Sequence, residues 1–367
     1  MAMNYEAKDP LPKTMLAVVC HGPRDYRLQE WAVPEPGSEE VVVRVLAVGI
    51  CASDLKCYQG AKAFWGDGET EGYCQPPVIA GHEFVGEVVA LGEGAGDKYG
   101  LALGDLAVSE QIVPTWTDRY AARGQYWLCS EHNVYGFRQK TFGAMAEYMK
   151  FPRGALNYKV PASIPPAHAA FIEPLACSIH AVQRGNIEFE HVVVIAGAGP
   201  LGLGMVAAAR LKNPRLLIAL DMNDHRLEVA KACGADLALN PKKVDVVSEV
   251  LSLTDGYGCD VYIEATGHPA AVQQGLDMIC KRGTFVEFSV MGEPASIDWS
   301  IIGDHKELNV HGSSLSPYTY PIAIEMISKN QLPLDQIITH ELPLSEFQHG
   351  FDLVASGEQS IKVILKP

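Results

Sequence analysis

A glycine-rich turn between two apolar segments is the feature that most constrains this chain. The turn reads Gly197-Ala198-Gly199-Pro200-Leu201-Gly202 and follows a predicted strand, 191–196, that is apolar after its first residue. An uncharged helical segment leaves the turn, and a second predicted strand, 215–220, ends next to Asp221. Strand, glycine turn, helix and strand in this order predict a βαβ unit that binds a dinucleotide.

Each glycine of the turn has its own physical task in such a unit. Gly197 permits the tight turn, Gly199 lets the backbone approach a pyrophosphate at the helix N-terminus, and Gly202 allows close packing of helix and strand. Asp221 is placed to accept hydrogen bonds from the adenosine ribose and to repel a 2′-phosphate, so we predict NAD as the cofactor. The NAD-binding residues predicted from the turn are Gly197, Gly199, Pro200, Leu201 and Gly202.

The same half of the chain continues to alternate between strands and helices. The further predicted strands are 235–239, 259–264, 284–289 and 307–311, and the predicted helices lie near 224–233, 244–253 and 270–280. Six strands separated by helical segments predict an α/β Rossmann fold with a doubly wound parallel sheet.

Ligands of such sheets lie beyond the carboxyl ends of the strands, which assigns Thr266 and Ser289 to the cofactor site. Arg226 either lies on the adenine face or forms a salt bridge at the surface.

The first 170 residues have a different pattern. Segments 41–50 and 84–91 are rich in β-branched apolar residues and are bounded by Gly, Pro and acidic residues, which predicts a β-rich domain of irregular barrel type. The tail returns to a helix over 321–329 and a strand over 360–365. We predict that it packs onto the first domain and makes that domain discontinuous. The predicted boundaries are 1–172 for the catalytic domain and 173–315 for the NAD-binding domain. Residues 316–367 are predicted to belong to the catalytic domain again.

Composition limits the class of partner. The chain has 367 residues, enough for two domains, and its formal net charge of -15 argues against a nucleic-acid partner. Nine scattered cysteines and a polar N-terminal segment, 1–13, without a signal-peptide pattern indicate reduced thiols in the cytoplasm. The uncharged run 192–209 is long enough for a marginal membrane span, but glycines and a proline interrupt it. We expect a soluble cytoplasmic protein with a small-molecule substrate.

Potential ligands of a metal ion are distributed along the first domain and at the domain junction. They are Cys51, His82, Glu83 and Glu173. Thiolate, imidazole and carboxylate are the groups that zinc takes in tetrahedral sites. An open zinc position beside a hydride acceptor is what alcohol oxidation requires.

With these motifs, the chain resembles zinc-dependent medium-chain alcohol and polyol dehydrogenases over nearly its full length. The motifs that carry the resemblance are 51–54 (CASD), 81–86 (GHEFVG), 173–175 (EPL) and 197–202 (GAGPLG). The resemblance implies a discontinuous β-rich GroES-like catalytic domain beside the Rossmann domain. It also implies one catalytic Zn²⁺ per subunit and a homo-oligomer, either a dimer or a tetramer.

Glu173 makes the chain similar to the sorbitol dehydrogenase branch of that family, which implies roles for single residues. The zinc ligands implied are Cys51, His82 and Glu83. Glu173 would hold a zinc-bound water or ligate the metal directly, Ser53 would take the substrate proton, and Asp54 would contact a ligand rather than the metal. Lys56 stands where many alcohol dehydrogenases have a relay histidine, so the proton leaves through Lys56 or through solvent.

The substrate expectation comes from a narrower resemblance. Stretches 47–58, 124–126, 256–258 and 298–302 are similar to those of bacterial erythritol/threitol dehydrogenases. This implies oxidation of a C4 polyol, erythritol or threitol, to a ketose such as erythrulose. The alternatives are another secondary alcohol dehydrogenase, acting on butanediol, sorbitol or threonine, or a non-catalytic NADH-binding protein.

The segment 59–77 between the two metal motifs is rich in aromatic and acidic residues. It forms either a lid over the zinc or a surface loop whose aromatic side chains pack locally. A buried polyol needs polar partners for its hydroxyls. The candidates in and next to this segment are Tyr58, Glu69 and Glu71.

Many members of the family carry a second, structural zinc on a lobe with four cysteines. The corresponding positions here are Thr115, Asp118, Ala121 and Cys129. Three of the four thiolates are absent, and a closed structural site needs four ligands. We expect no structural zinc. The side chains expected to pack the lobe instead are Trp116, Tyr120, Tyr126 and Trp127.

Overall fold

The computed structural model describes residues 5–367. Its strands are β1 (Tyr5–Ala7), β2 (Thr14–Gly22), β3 (Asp25–Ala32), β4 (Val41–Gly49), β5 (Val78–Ile79), β6 (Glu83–Gly92), β7 (Leu106–Ser109), β8 (Tyr148–Phe151), β9 (Asn157–Val160), β10 (Val192–Ala196), β11 (Leu216–Leu220), β12 (Leu237–Leu239), β13 (Cys259–Glu264), β14 (Ile279–Glu287), β15 (Asn309–Gly312), β16 (Ile338–Pro343) and β17 (Lys362–Lys366).

The helices are α1 (Ala52–Gln59), α2 (Lys62–Trp65), α3 (Ala95–Tyr99), α4 (Pro166–Ala169), α5 (Ile172–Arg184), α6 (Pro200–Arg210), α7 (Asp224–Ala232), α8 (Val246–Leu253), α9 (Pro269–Met278), α10 (Tyr320–Ser328), α11 (Leu334–Ile337) and α12 (Phe347–Ser356). Short 3₁₀ helices lie at Ala121–Arg123, Tyr126–Leu128, Trp299–Ile301 and Leu344–Glu346.

The described residues form two compact units. The first contains the residues up to Glu173 together with 320–328 and 338–367, and the second contains 174–319 and 329–337. The chain therefore crosses between units within α5 and again on either side of α10 and α11.

The second unit is built on a parallel sheet. Within residues 192–312 six strands pair in the order β12-β11-β10-β13-β14-β15. β11 and β12 lie on one side of β10, and β13, β14 and β15 lie on the other side. This is the doubly wound order, so the predicted Rossmann fold is confirmed. The buried centre of the sheet includes Val192, Val194, Ile218, Tyr262 and Phe285.

The largest difference from the predicted strand boundaries lies in β14. β14 begins at Ile279, five residues before the predicted start at Thr284. Its pairing with β13 shifts register between Cys259 and Val261, because residues 280–283 of β14 lie opposite Asp260 alone. The Lys-Arg-Gly sequence in that stretch is typical of a turn, which hides the earlier start.

The first unit is rich in strands, as the β-branched segments predicted. Residues 5–366 contribute an eight-stranded sheet with the path β16-β17-β4-β6-β7-β9, to which β1 and β8 add at β6 and β4. A second sheet has the order β3-β2-β5. β4 thus pairs with β6 on one side and with β17, from the end of the chain, on the other.

The apolar run 192–209 is divided into β10, the glycine turn and α6, as its sequence predicted. Among the described helices, none combines the length and apolarity that a membrane span requires. The expectation of no signal peptide concerned residues 1–13, of which 1–4 lie outside the described residues.

The lobe around residues 115–131 is held by packing and by a carboxylate. Tyr126 is buried together with Cys129, and the ring of Trp116 lies 5.9 Å from the ring of Tyr126. The carboxylate of Asp118 accepts hydrogen bonds from the backbone N–H groups of Tyr120 at 2.7 Å and Ser130 at 3.1 Å. The expected lack of a structural zinc stays a prediction.

A buried acid lies beneath this lobe. Glu110 is 1% exposed, and its carboxylate accepts hydrogen bonds from the hydroxyls of Tyr126 at 2.8 Å and Tyr158 at 2.7 Å. The ring of Tyr158 in turn stacks on Tyr320 of α10. Burial raises the pKa of Glu110 to about 7, although the two tyrosine hydroxyls oppose the shift.

Glu110→Gln is expected to flatten the dependence of stability on pH. A carboxyl whose pKa is raised in the folded state takes up a proton on folding. Its contribution to stability is therefore present below pH 4.5 and is lost as the pH rises through about 7. A shift of this size corresponds to about 3 kcal/mol. Urea unfolding of the two proteins between pH 5 and pH 8 measures the difference, with the exposed Glu228→Gln as control. Parallel stability curves for wild type and Glu110→Gln would contradict it.

Candidate metal and cofactor sites

The end of β4 and the start of α1 position a thiol and a hydroxyl. Cys51 is the N-cap of α1, and its backbone N–H donates to Oδ2 of Asp54 at 3.0 Å. This contact fixes the first turn of the helix. Ser53, in the same turn, has its Oγ 3.4 Å from Nε2 of His82.

The imidazole and the carboxylate come from the segment that enters β6. Ligand atoms of Cys51, His82 and Glu83 all lie within 4.8 Å of one another, and no other such group of three occurs among residues 5–367. Sulfur, nitrogen and oxygen donors are the set that zinc takes, and three protein ligands leave a position open for substrate. The donors therefore fit a catalytic zinc.

The second ring nitrogen of His82 faces a carboxylate. Nδ1 lies 3.4 Å from Oδ1 of Asp54, and both side chains are buried. This position allows Asp54 to hold the imidazole in one orientation, and its role beside a metal ligand stays a prediction. Burial lowers the pKa of His82, but Asp54 and Cys51 outweigh it, so the pKa is raised well above its usual value. A metal must displace that proton, and acid therefore weakens metal binding at this site.

Lys362 of β17 is a residue of this site that the sequence analysis did not single out. Its ammonium forms an ion pair with the carboxylate of Glu83, and it also donates to the carbonyl of Ile50 at 3.0 Å. Lys362 and Glu83 are each 2% exposed. Burial lowers the pKa of Lys362, but the charges of Glu83 and Cys51 outweigh it and raise the pKa.

Glu173 lies outside the group of three ligands. It is buried in the first turn of α5, and its charge adds to the raised pKa of Lys362. The structure therefore brings three of the four predicted metal ligands together and leaves the fourth carboxylate within electrostatic range of the same lysine.

Aromatic side chains cover one side of His82. The ring of Phe137 lies 5.4 Å from His82 and 5.1 Å from Phe64 of α2. Tyr73 also packs against Phe137, at 5.8 Å, and donates its hydroxyl to the carbonyl of His132 at 2.7 Å. The segment 59–77 thus contributes aromatic rings to the surroundings of His82, and a lid function stays a prediction.

The polar groups suggested for the substrate hydroxyls do not lie with these rings. Tyr58 stacks on Phe351 of α12, and its hydroxyl donates to Gln348. Glu69 and Glu71 are exposed. None of the three is placed among the contacts of the metal ligands.

The three glycines of the cofactor turn differ in the space around them. Gly197 has φ +100°, and a Cβ there would lie 2.7 Å from the carbonyl oxygen of Ala265. A Cβ on Gly202 would lie 1.8 Å from the carbonyl oxygen of Gly197, whereas one on Gly199 would meet nothing within 4 Å. The turn is thus closely packed at its ends and open at the N-cap of α6, where a pyrophosphate would approach. Pro200 and Leu201 begin that helix.

Asp221 follows β11 and is fixed by two backbone donors. Oδ2 accepts from the N–H of Ala198, and Oδ1 accepts from the N–H of Asn223, both at 2.8 Å. Each oxygen keeps a lone pair for a ribose hydroxyl. Arg226 lies in the first turn of α7, where its backbone N–H donates to Oδ1 of Asn223 at 3.4 Å.

Thr266 and Ser289 lie at the ends of β13 and β14, where the fold places ligands. The loops that follow β13 and β14 are both held by Glu264, a fully buried acid that was not identified from the sequence. Its carboxylate accepts the N–H of Thr266 at 2.7 Å and the N–H of Gly267 at 3.1 Å, and its carbonyl lies 3.5 Å from the hydroxyl of Ser289.

Comparison with known proteins shows the family. Residues 37–162 match the family described as alcohol dehydrogenase GroES-like domain, and residues 200–329 match the family described as zinc-binding dehydrogenase. An erythritol/L-threitol dehydrogenase from Mycolicibacterium smegmatis is 55% identical over 97% of this chain and 99% of its own length. The chain belongs to the zinc-dependent medium-chain alcohol and polyol dehydrogenases.

Solved structures agree with this assignment. The 2R,3R-butanediol dehydrogenase of Bacillus subtilis has a TM-score of 0.85 and 27% identity, covering 96% of this chain and 99% of that one. A zinc-binding dehydrogenase from Sinorhizobium meliloti 1021, solved with NADP bound, has a TM-score of 0.86 and 28% identity, covering 97% and 100%. The predicted family, fold class and enzyme class are confirmed, and with them a catalytic zinc and a nicotinamide dinucleotide as the cofactors of the class.

Two glycine substitutions separate folding from cofactor binding. Gly202→Ala is expected to destabilise the protein by about 1–3 kcal/mol, because its Cβ collides with the carbonyl of Gly197. Gly199→Ala is expected to keep the wild-type unfolding temperature and to weaken NAD binding by about tenfold, roughly 1.4 kcal/mol, because the methyl group fills the approach of the pyrophosphate. Thermal unfolding and NADH fluorescence titration measure the two effects. Equal NAD affinity in Gly199→Ala and wild type would contradict this reading of the turn.

Proposed function

We propose that this protein, a polyol dehydrogenase, oxidises a C4 polyol, erythritol or threitol, to a ketose such as erythrulose with hydride transfer to NAD. The observation that carries the proposal is the group formed by half-buried Cys51 with the buried His82 and Glu83, which has the hydroxyl of Ser53 beside it. The choice of substrate is supported by the 55% identity to the erythritol/L-threitol dehydrogenase of M. smegmatis. A homo-oligomer and a cytoplasmic location stay predictions.

Cys51, His82 and Glu83 would hold the metal, and Glu173 supplies a further carboxylate close to Lys362. A zinc ion held there would supply a Lewis acid that makes an alcohol hydroxyl more acidic, and bound NAD would supply the acceptor for a hydride from the carbon that bears this hydroxyl. Asp54 keeps His82 in one ring orientation through the contact between Oδ1 and Nδ1.

Ser53 would move the proton. Its hydroxyl both donates and accepts, so it takes the proton of the substrate hydroxyl while it passes its own proton on. Its position in the first turn of α1, 3.4 Å from His82, keeps it next to the metal ligands. The next group on the path is Lys56 or solvent.

Asp221 supports NAD over NADP. Two backbone N–H groups hold the carboxylate in place, so it cannot turn away from a ribose phosphate. A fixed negative charge there repels a 2′-phosphate and accepts hydrogen bonds from a 2′-hydroxyl. A solved structure of this fold holds NADP, so the fold alone does not select NAD and the assignment depends on this residue.

A substrate panel tests the proposed function. We expect NADH production from erythritol or from one of the threitols with kcat/KM at least tenfold above that for sorbitol, butanediol and threonine. NADP should give less than a tenth of the activity with NAD, and a metal chelator should abolish turnover. Higher kcat/KM for butanediol, sorbitol or threonine would reject the C4 polyol and favour that alternative. No turnover on any alcohol by the zinc-loaded protein would favour a non-catalytic NADH-binding protein.

Cys51→Ser tests the metal site separately from the cofactor site. Replacing the thiolate with a hydroxyl removes the strongest zinc donor of the group, so we expect loss of bound zinc and a loss of kcat of at least about 10³-fold. NAD affinity should stay within about twofold of wild type, as NADH fluorescence titration would show. Cys233→Ser, at a buried cysteine of the second unit, is the matched control. Wild-type turnover by Cys51→Ser would reject the assigned role.

A further inference from the structure

The strand pairing around Gly49 places three residues on one face of the sheet. Gly49, the last residue of β4, pairs with Glu83 of β6 on one side and with Ile364 of β17 on the other. Lys362 lies two residues before Ile364, so its side chain is on the same face as that of Ile364. Glu83 and Lys362 therefore meet across Gly49.

Gly49 leaves the room for this meeting. A Cβ at Gly49 would lie 2.2 Å from Oε2 of Glu83 and 2.7 Å from Cε of Lys362. The backbone of Gly49 is not in the left-handed region, so space rather than conformation requires glycine here. Any other residue would push the ion pair out of its position.

Lys362 also ties the pair to the metal-binding corner. Its ammonium donates to the carbonyl of Ile50, the residue directly before Cys51, at 3.0 Å. The acceptor on Glu83 is Oε2, the same oxygen that lies above Gly49. One oxygen of the carboxylate is thus engaged by the lysine inside the protein.

We propose that Gly49 and Lys362 are positioning residues for metal binding, which hold Oε2 of Glu83 so that its other oxygen is presented to an ion shared with Cys51 and His82. This inference rests on the proposed function, in which Glu83 is a ligand. It explains why a lysine is buried beside a cation site at all. A buried carboxylate without a partner is costly, and a carboxylate free to rotate is a poor ligand.

Two effects of Lys362 on the metal oppose each other. Its positive charge repels a cation, so removal of the charge alone would raise zinc affinity. Its contact with Glu83 fixes a ligand, so removal of the contact lowers zinc affinity, by about 10–100-fold for partners of this kind. The proposal requires the second effect to be the larger.

Zinc affinity of the full-length protein, measured by competition with a chromophoric chelator, tests this. We expect Lys362→Met and Gly49→Ala each to weaken zinc binding by about 10–100-fold, and Lys362→Arg to retain most of the affinity because it keeps the donor and the charge. Lys366→Met is the control on the same strand, since Lys366 is exposed and pairs with Glu341 away from the site. Its zinc affinity should equal that of wild type.

A second readout separates positioning from a merely structural role. The Co²⁺-loaded proteins should all keep the thiolate absorption of Cys51, while the ligand-field bands of Lys362→Met and Gly49→Ala shift towards those of Glu83→Gln. A structural role would instead lower the unfolding temperature of the metal-free protein and leave the cobalt spectrum unchanged. If Lys362→Met does not fold, Gly49→Ala and Lys362→Arg decide the question.

The outcomes distinguish the inference from the proposed function. If Glu83→Gln loses zinc affinity while Lys362→Met and Gly49→Ala bind as wild type, the positioning role is overturned and Glu83 stays a ligand. If all three bind zinc as wild type, the inference is overturned, whereas NADH production from a C4 polyol by the wild-type protein would still support the proposed function. A tenfold or greater increase in the zinc affinity of Lys362→Met would also overturn the positioning role.

Discussion

The pairing of β4 with two partners from distant parts of the sequence is the constraint on which the metal site depends. β6 lies on one side of β4 and β17 on the other, so residues near positions 50, 83 and 362 meet at one end of these three strands. Cys51 follows β4, Glu83 begins β6 and Lys362 begins β17. A change in register on either side would separate the thiol, the carboxylate and the ammonium.

Burial makes the charges of this site interdependent. Four side chains of the site are each at most 5% exposed: Glu83, Asp54, His82 and Lys362. Water therefore solvates their charges poorly, and each charge depends on its neighbours in the protein. The lysine balances Glu83, and the imidazole lies beside Asp54. A divalent ion would join a set in which every acid already has a partner of defined geometry, which limits the reorganisation that metal binding requires.

The cofactor half could be predicted almost completely because its signals are local. Strand-turn-helix periodicity and the glycine spacing depend on residues close in sequence, and the parallel order of the sheet follows from the alternation of elements. The predicted start of β14 was wrong because residues 281–283 resemble a turn but lie within the strand, where its register shifts against β13. Glu264 was missed because an acid at the end of a strand has no distinctive sequence neighbours.

The metal half could be predicted only in part. Cys51, His82 and Glu83 carry recognisable motifs, and the structure brings their ligand atoms together. Lys362 has no local signal, since its importance comes from β17 pairing with a strand more than 300 residues earlier. Tyr58 was proposed for the substrate from sequence proximity alone. The helix turns its side chain towards α12, where it stacks on Phe351.

Anomalous diffraction at the zinc absorption edge, from crystals of the zinc-loaded protein, tests the central claim most directly. The account predicts one strong peak per chain, about 2.0–2.3 Å from Sγ of Cys51, a ring nitrogen of His82 and a carboxylate oxygen of Glu83. A map with no peak at these three residues under saturating zinc, or with its peak at another place, would contradict it.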